Sequence, residues 1–209
     1  MTEADLAVFC ADVGSGKATH LGWFGGLAGQ EQAGTDPTTL AREIAHHLRS
    51  LHPVALGFEC PLFVPLAEQP GDLTAARVGE GNRPWSAAAG AAALATGLTQ
   101  VAWMLRRIRS EVHVPAFLKW GDFQHANTGL FVWEAFVSGK AKAVDHAGDA
   151  RRAVEAFRAA LPSPDRHSAV SVQEAYSLVG AALLRTGWKT NPAVLSTPAL
   201  VIGVADAKG

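Results

Sequence analysis

The sequence is poor in cysteine and has almost no excess charge of either sign. Two cysteines in 209 residues do not make a disulfide framework, and both lie within or beside apolar segments, which favours a reducing cytoplasm. The 18 lysine and arginine residues nearly balance the 19 aspartate and glutamate residues. With so little net charge the protein as a whole does not attract a polyanion, so contact with nucleic acid requires a local basic patch.

Several motifs of common protein classes are missing as well. Residues 1–5 carry acids where a signal peptide carries basic residues, so secretion is not indicated. The uncharged stretch 86–105 is long enough to span a membrane, but small and polar residues dominate it. We therefore expect it to form a helix of a soluble protein, packed against a sheet, and we expect no membrane contact. The sequence has no HExxH motif and no cysteine and histidine spacing typical of a zinc site.

What the sequence does have is a pair of apolar segments that each end in one carboxylate. Residues 7–11 lead to Asp12, and residues 54–58 lead to Glu59, which a proline follows closely. Their apolar content predicts two buried strands. If the strands are neighbours, both acids lie at the same edge of the sheet, which is an arrangement typical of a metal site.

The predicted secondary structure alternates between strands and helices. Strands over 6–12 and 19–25 form a hairpin, and a helix that begins at Pro37 connects them to the strand over 54–59. A right-handed crossover makes that strand parallel to an earlier one. Further predicted elements are a helix over 86–108, strands over 112–118 and 129–136, helices over 145–161 and 171–186, and a strand over 200–204.

These elements indicate one α/β domain over 1–209 with a loop insertion at about 64–85. We expect a mixed five-stranded sheet with the first three strands antiparallel and helices on both faces. This arrangement resembles the ribonuclease H-like fold of resolvases, transposases and exonucleases.

Short motifs are spread over most of the chain, at Asp12, Gly22 and Trp23, the segment 58–62, Arg77 and Arg83, the segment 133–136, and Glu174 with Ala175. In these motifs the chain is similar to the DUF429 family of predicted ribonuclease H-like nucleases. The resemblance implies a nuclease domain that cleaves nucleic acid. Glutamate stands at Glu59 where the family has aspartate, and the loop lacks the family's cysteine-bearing arginine motif.

The same residues suit hydrolysis of a phosphodiester with the help of metal ions. Two divalent cations about 4 Å apart can activate water and stabilise the leaving oxygen, and they need three or four converging carboxylates. Mg²⁺ and Mn²⁺ prefer such oxygen ligands. The residues that we expect to be catalytic and to bind Mg²⁺ or Mn²⁺ are Asp12, Glu59, Glu134 and Glu174.

Each carboxylate also has a structural explanation. Asp12 at a strand end can anchor a loop, and Glu134, between aromatic residues, can form an ion pair with a nearby lysine. Glu174 lies in the first turn of a predicted helix, where the dipole favours acids whatever their function. Asp145 and Asp149 are reserves for the last ligand position, but both also fit a helix start.

The predicted loop carries the candidate substrate-binding residues. Arg77 and Arg83 are suited to hold phosphate, and Trp85 is suited to stack on a base. The alternative is an exposed loop whose tryptophan packs beneath the following helix.

Two other functions fit the sequence. Residues 14–17 read Gly-Ser-Gly-Lys, but the surrounding alanines at 11 and 18 break a Walker A motif. A strand, an aspartate and a glycine hairpin also open the actin-like kinases, so an ATP-dependent phosphotransferase is one alternative. A ribonuclease H-like binding module without catalysis is the other.

Overall fold

The described residues, 5–14, 21–137 and 139–204 of the computed structural model, fold around one mixed β-sheet. Strands β1 (Ala7–Val13), β2 (Leu21–Gly26) and β3 (Gln32–Gly34) form consecutive antiparallel ladders. Helix α1 (Pro37–Arg49) begins where the Asp36 carboxylate accepts hydrogen bonds from the Thr38 and Thr39 amides, at 3.2 and 2.9 Å. It leads to β4 (Val54–Phe58), which pairs with β1 in parallel, as predicted.

The other half of the sheet is parallel. Strand β7 (Leu130–Val137) lies beside β4, and the opposite edge of β7 pairs first with β6 (Ala116–Phe117) and then with β9 (Leu200–Val204). Strands β5 (Phe63–Pro65) and β8 (Ala175–Ser177) form a separate two-stranded sheet. The remaining helices are α2 (Ala88–Arg109), α3 (Trp120–Gln124), α4 (His146–Ala159) and α5 (Leu178–Arg185).

Helices cover both faces of the sheet, as the sequence predicted. Residues of β1 alternate between the two faces, so that Phe9 and Ala11 pack toward α1 and α2 while Val8 and Cys10 pack toward α4. Each face has its own apolar core, and both faces of β1 are buried. Cys10 and Cys60 are buried free thiols in these cores.

Among the described residues the sheet has seven strands, so the prediction of five was wrong. Strand β3 has three residues and β6 has two, and neither is long enough to show an alternating apolar pattern. Of the predicted strand over 112–118, only the two residues of β6 are a strand in the structure. The predicted helix over 171–186 begins only at Leu178, where the Ser177 hydroxyl caps the Gly180 amide at 3.1 Å.

Among the described residues one helix, α2, is long and apolar enough by composition to cross a membrane, with a mean hydropathy of 1.3. A single helix of this kind is weak evidence, so no membrane is implied.

Candidate metal centre

Strand alternation places Asp12 and Glu59 on the same face of the sheet. Asp12 continues the row of Val8 and Cys10 on β1, which faces α4. Ala11 pairs with Phe58, and the Glu59 amide donates to the Ala11 carbonyl at 2.9 Å, so Glu59 follows as the next residue on the neighbouring strand. Both acids therefore project from adjacent parallel strands toward the start of α4.

A glycine lets α4 approach these acids. Gly22 on β2 pairs with Asp12, and a Cβ at this position would overlap the backbone of His146 and Ala147. The first turn of α4 therefore rests directly on the sheet beside Asp12. Asp145 caps the start of α4, because its carboxylate accepts a hydrogen bond from the Gly148 amide at 2.7 Å, and the helix brings Asp149 to the same place.

The three acids Asp12, Glu59 and Asp149 form a cluster that we call the carboxylate triad. One carboxylate oxygen of each residue lies within 4.8 Å of the other two. Lys142 contacts two of them, because its Nζ lies 2.9 Å from Glu59 Oε1 and 3.1 Å from Asp149 Oδ2. His146 Nδ1 hydrogen-bonds to Asp12 Oδ2. The structure thus joins side chains from a strand, a strand end and a helix into one site.

Burial perturbs the protonation of the triad. Burial together with the nearby charge of Asp12 raises the pKa of Glu59 to about 8. Burial also raises the pKa of Asp12, although the hydrogen bond from His146 opposes the shift. Burial alone would lower the pKa of Lys142, but the charge of Glu59 raises it above the usual value. Burial therefore makes the ionised form of these acids unfavourable, and the single charge of Lys142 offsets this only in part.

The triad fits a hard divalent cation. Glu59 Oε2 is buried and has no hydrogen-bond partner among the described residues. An unpartnered buried carboxylate oxygen is unfavourable unless a cation or a proton meets it. Three carboxylates without nitrogen or sulfur ligands are the donor set that Mg²⁺ and Mn²⁺ prefer.

Glu134 lies nearby but belongs to a different group. It follows Leu130 and Val132 on the face of β7 that packs toward α1 and α2, the opposite face from Asp12. Its carboxylate binds Arg77 through two hydrogen bonds, of 2.6 and 2.9 Å, and also accepts from the Leu62 amide at 2.9 Å. The structure thus places Glu134 with Arg77 and not among the acids of the triad, and its ion pair is with an arginine where the sequence suggested a lysine.

Arg77 is therefore not available to hold phosphate. Its side chain is fully buried, and its remaining donors bind Glu80 at 2.9 Å and the Phe63 carbonyl at 3.1 Å. The guanidinium also stacks on the Phe63 ring, 4.7 Å from its centroid. Arg77 fixes the loop to the end of the sheet instead of binding substrate as the sequence predicted.

Glu174 does not reach the triad. It is exposed and lies just before β8, because the segment that was predicted as the start of a helix is extended. It lines a separate surface cavity beside the loop. The structure therefore brings together two of the four predicted ligands, Asp12 and Glu59, and adds Asp149.

A cavity of about 330 Å³ opens beside two acids of the triad, Asp12 and Glu59. Lys142 also lines it, and so do Arg77, Arg83 and Trp85 of the loop. Arg83 is exposed, whereas the Trp85 indole donates to the Ala75 carbonyl at 2.9 Å and so has a fixed orientation. All three residues that the sequence predicted for substrate contact, Arg77, Arg83 and Trp85, thus line the cavity beside Asp12 and Glu59, although the Arg77 side chain is buried.

Sequence reasoning missed two residues of this site. Lys142 carries no signal, since it lies in an irregular segment between β7 and α4. His146 lies at the start of a predicted helix, where a polar residue is ordinary. In comparisons with known proteins no family model, curated protein or solved structure matches this chain. Function is therefore inferred from the site itself.

Proposed function

We propose that this protein is a divalent-metal-dependent phosphodiester hydrolase of the ribonuclease H-like type, which acts on nucleic acid with Mg²⁺ or Mn²⁺. The observation that carries the proposal is the carboxylate triad, in which one oxygen of each acid lies within 4.8 Å of the other two. Its Glu59 also has a buried oxygen, Oε2, without a hydrogen-bond partner among the described residues. A carboxylate cluster open to a cavity is the ligand set that such hydrolases need.

The order of the elements supports the ribonuclease H-like part of the proposal. The resemblance began with a hairpin that carries Asp12, followed by a helix and a parallel strand that ends in an acid. The chain has these parts in this order, as β1 with β2, then α1, then β4 with Glu59. A further acid, Asp149, comes from a helix that packs on β1.

Each part of the cavity has a distinct role in this proposal. Asp12, Glu59 and Asp149 would hold the ion, which when bound supplies an activated water and stabilises charge on phosphoryl oxygens. Lys142 and His146 orient the carboxylates through hydrogen bonds. Arg83 provides a local positive charge for phosphate at the cavity, in addition to that of Lys142, in a chain that is nearly neutral as a whole.

A calorimetric titration with Mn²⁺ tests the proposal. We expect the wild type to bind Mn²⁺ and Asp12→Asn to bind at least about tenfold more weakly, a difference of about 1.4 kcal/mol. Glu174→Gln is the matched control, because it removes an exposed carboxylate outside the triad and should bind like wild type. Equal uptake by wild type and Asp12→Asn would exclude the site. The metal-dependent release of nucleotides from single-stranded DNA and RNA then tests hydrolysis.

Two further measurements distinguish the two alternative functions. A thermal shift with ATP but not with Mn²⁺ would favour the actin-like phosphotransferase, whose glycine hairpin falls largely on residues outside the described ranges. Binding of Mn²⁺ and of an oligonucleotide without cleavage would favour the non-catalytic binding module.

A further inference from the structure

The position of Lys142 determines how many metal ions the triad can hold. Its Nζ lies within 3.1 Å of one oxygen each of Glu59 and Asp149, which is hydrogen-bonding distance for an ammonium group and a carboxylate. In a site with two ions about 4 Å apart, a second cation has to lie against the same carboxylates. A protein cation already lies there.

The segment that carries Lys142 is itself fixed to the triad. The amide of the next residue, Ala143, donates to Asp149 Oδ1, while Lys142 Nζ binds Oδ2 of the same carboxylate. Asp149 is therefore bound on both oxygens by two consecutive residues. Although the Lys142 side chain is 46% exposed, its ammonium is tethered by two carboxylates, which are 11% and 6% exposed.

The charge of the site agrees with this geometry. With all three acids ionised and His146 neutral, three carboxylates and one ammonium leave two negative charges, which one divalent ion balances. A second divalent ion would leave an excess of positive charge next to Lys142, at a distance where like charges repel strongly in a partly buried site. The Arg77 group on the opposite face is satisfied by its own contacts and does not change this balance.

The two carboxylate oxygens of Glu59 also indicate a single metal ion. Lys142 uses Glu59 Oε1, whereas Glu59 Oε2 is the buried oxygen without a partner among the described residues. The two oxygens of this carboxylate are thus divided between an ammonium and an open position. We infer that Lys142 occupies the place of a second cation, so that the triad binds one divalent ion and not two.

This inference rests on the proposed function, and it assigns Lys142 a role in substrate contact as well. With one metal ion, the ammonium is the second positive charge that faces the cavity from the floor of the site. A phosphate group that enters the cavity would meet both the bound ion and Lys142.

The number of bound Mn²⁺ ions tests the inference. We expect calorimetry to give one Mn²⁺ per chain for the wild type and two for Lys142→Ala, which removes the ammonium and opens its place. Electron paramagnetic resonance of the same samples should show isolated Mn²⁺ in the wild type and spin-coupled Mn²⁺ pairs in the variant. Lys142→Arg keeps the charge and should bind one ion, and Lys119→Ala, which removes an exposed lysine outside the cavity, should also bind one.

Each result of this experiment has a defined meaning. Equal stoichiometry for wild type and Lys142→Ala, whether one or two, would overturn the inference about Lys142 while leaving the metal site in place. A wild type that binds no Mn²⁺ would overturn the proposed function itself. If circular dichroism shows that Lys142→Ala does not fold, Lys142→Gln carries the same expectation, and two ions in the wild type overturn the inference without any variant.

Discussion

Two groups of buried acids lie at the same end of the sheet, on opposite faces, and they are built in different ways. In the group of Arg77, Glu80 and Glu134, every carboxylate oxygen accepts at least one hydrogen bond, and all three side chains are at most 1% exposed. In the carboxylate triad, the cation is half-exposed and one buried oxygen has no partner among the described residues. The first group is closed, and the second is open to a ligand.

The difference shows which buried acid is structural and which is available for chemistry. An arginine satisfies two carboxylates with planar, directed hydrogen bonds and so leaves nothing for a metal ion. A lysine contributes one point charge and leaves carboxylate oxygens unsatisfied. Burial alone does not distinguish the groups, because Glu134 and Asp149 are both buried.

The largest effect on stability should come from removing the arginine of the closed group. Arg77→Ala leaves Glu80 and Glu134 buried without their cation, and we expect the free energy of unfolding to fall by about 3–5 kcal/mol. Urea denaturation measures this change. Arg83→Ala, from the same loop but exposed, should change stability by less than about 0.5 kcal/mol. A loss below about 1 kcal/mol for Arg77→Ala would show that the ion pair is not structural.

A metal ion should act on the open group alone. At a Mn²⁺ concentration of 100 times the dissociation constant, the wild type should gain about 2.7 kcal/mol of stability. Asp149→Asn should lose this gain. Glu134→Gln should unfold more easily but keep the full gain from Mn²⁺, since it lies outside the triad. Thermal unfolding with and without Mn²⁺ provides the measurement, and a gain abolished by Glu134→Gln would contradict the separation of the two groups.

The pH should also distinguish the open group. In the metal-free protein, Glu59 has a pKa of about 8 in the folded state against 4.5 as its ordinary value. Between these pH values the folded chain holds a proton that the unfolded chain has lost, so stability falls as the pH rises. We expect Glu59→Gln to gain about 2 kcal/mol relative to wild type from pH 5 to pH 7, a rise of at most about 1.4 kcal/mol per pH unit.

Denaturation curves at a series of pH values provide the comparison for Glu59. Parallel stability profiles for wild type and Glu59→Gln would show that this carboxylate is not perturbed. With saturating Mn²⁺ the decrease in wild-type stability with pH should disappear, because the ion requires the deprotonated carboxylate.

The smallest effect concerns the exposed arginine at the cavity. Arg83→Ala should weaken the binding of a short single-stranded oligonucleotide in the presence of Mn²⁺ by up to about fivefold, since an exposed ion pair contributes up to about 1 kcal/mol. Fluorescence anisotropy measures the affinity. Arg166→Ala removes an exposed charge outside the cavity and should leave the affinity unchanged, so equal weakening by both variants would indicate nonspecific attraction.

Much of the fold follows from local patterns in the sequence. Strands β1, β4 and β7 were predicted because apolar residues fill both faces of a buried strand, and α1 because Asp36 and Pro37 mark its start. The short strands β3 and β6 depend on pairing with their neighbours, which no local pattern records.

The site was predictable only in part, for a similar reason. Asp12 and Glu59 end apolar strands, and a parallel pairing of these two strands was enough to predict that the acids lie close together. The register between β4 and β7 decides which face Glu134 occupies. Glu134 pairs with Phe58 and not with Glu59, so it lies on the face opposite the triad. Asp149 looked like an acid in the first turn of a helix, and its role depends on how α4 docks.

The docking of α4 on Gly22 also determines when the site can exist. Asp12 and His146 are 134 residues apart in the chain, and α4 brings its residues to Asp12 only by lying directly on the glycine. A nascent chain that ends before α4 already contains Asp12, Glu59 and Lys142 but lacks the third carboxylate, Asp149. The complete triad therefore forms late in synthesis, after most of the sheet has been made.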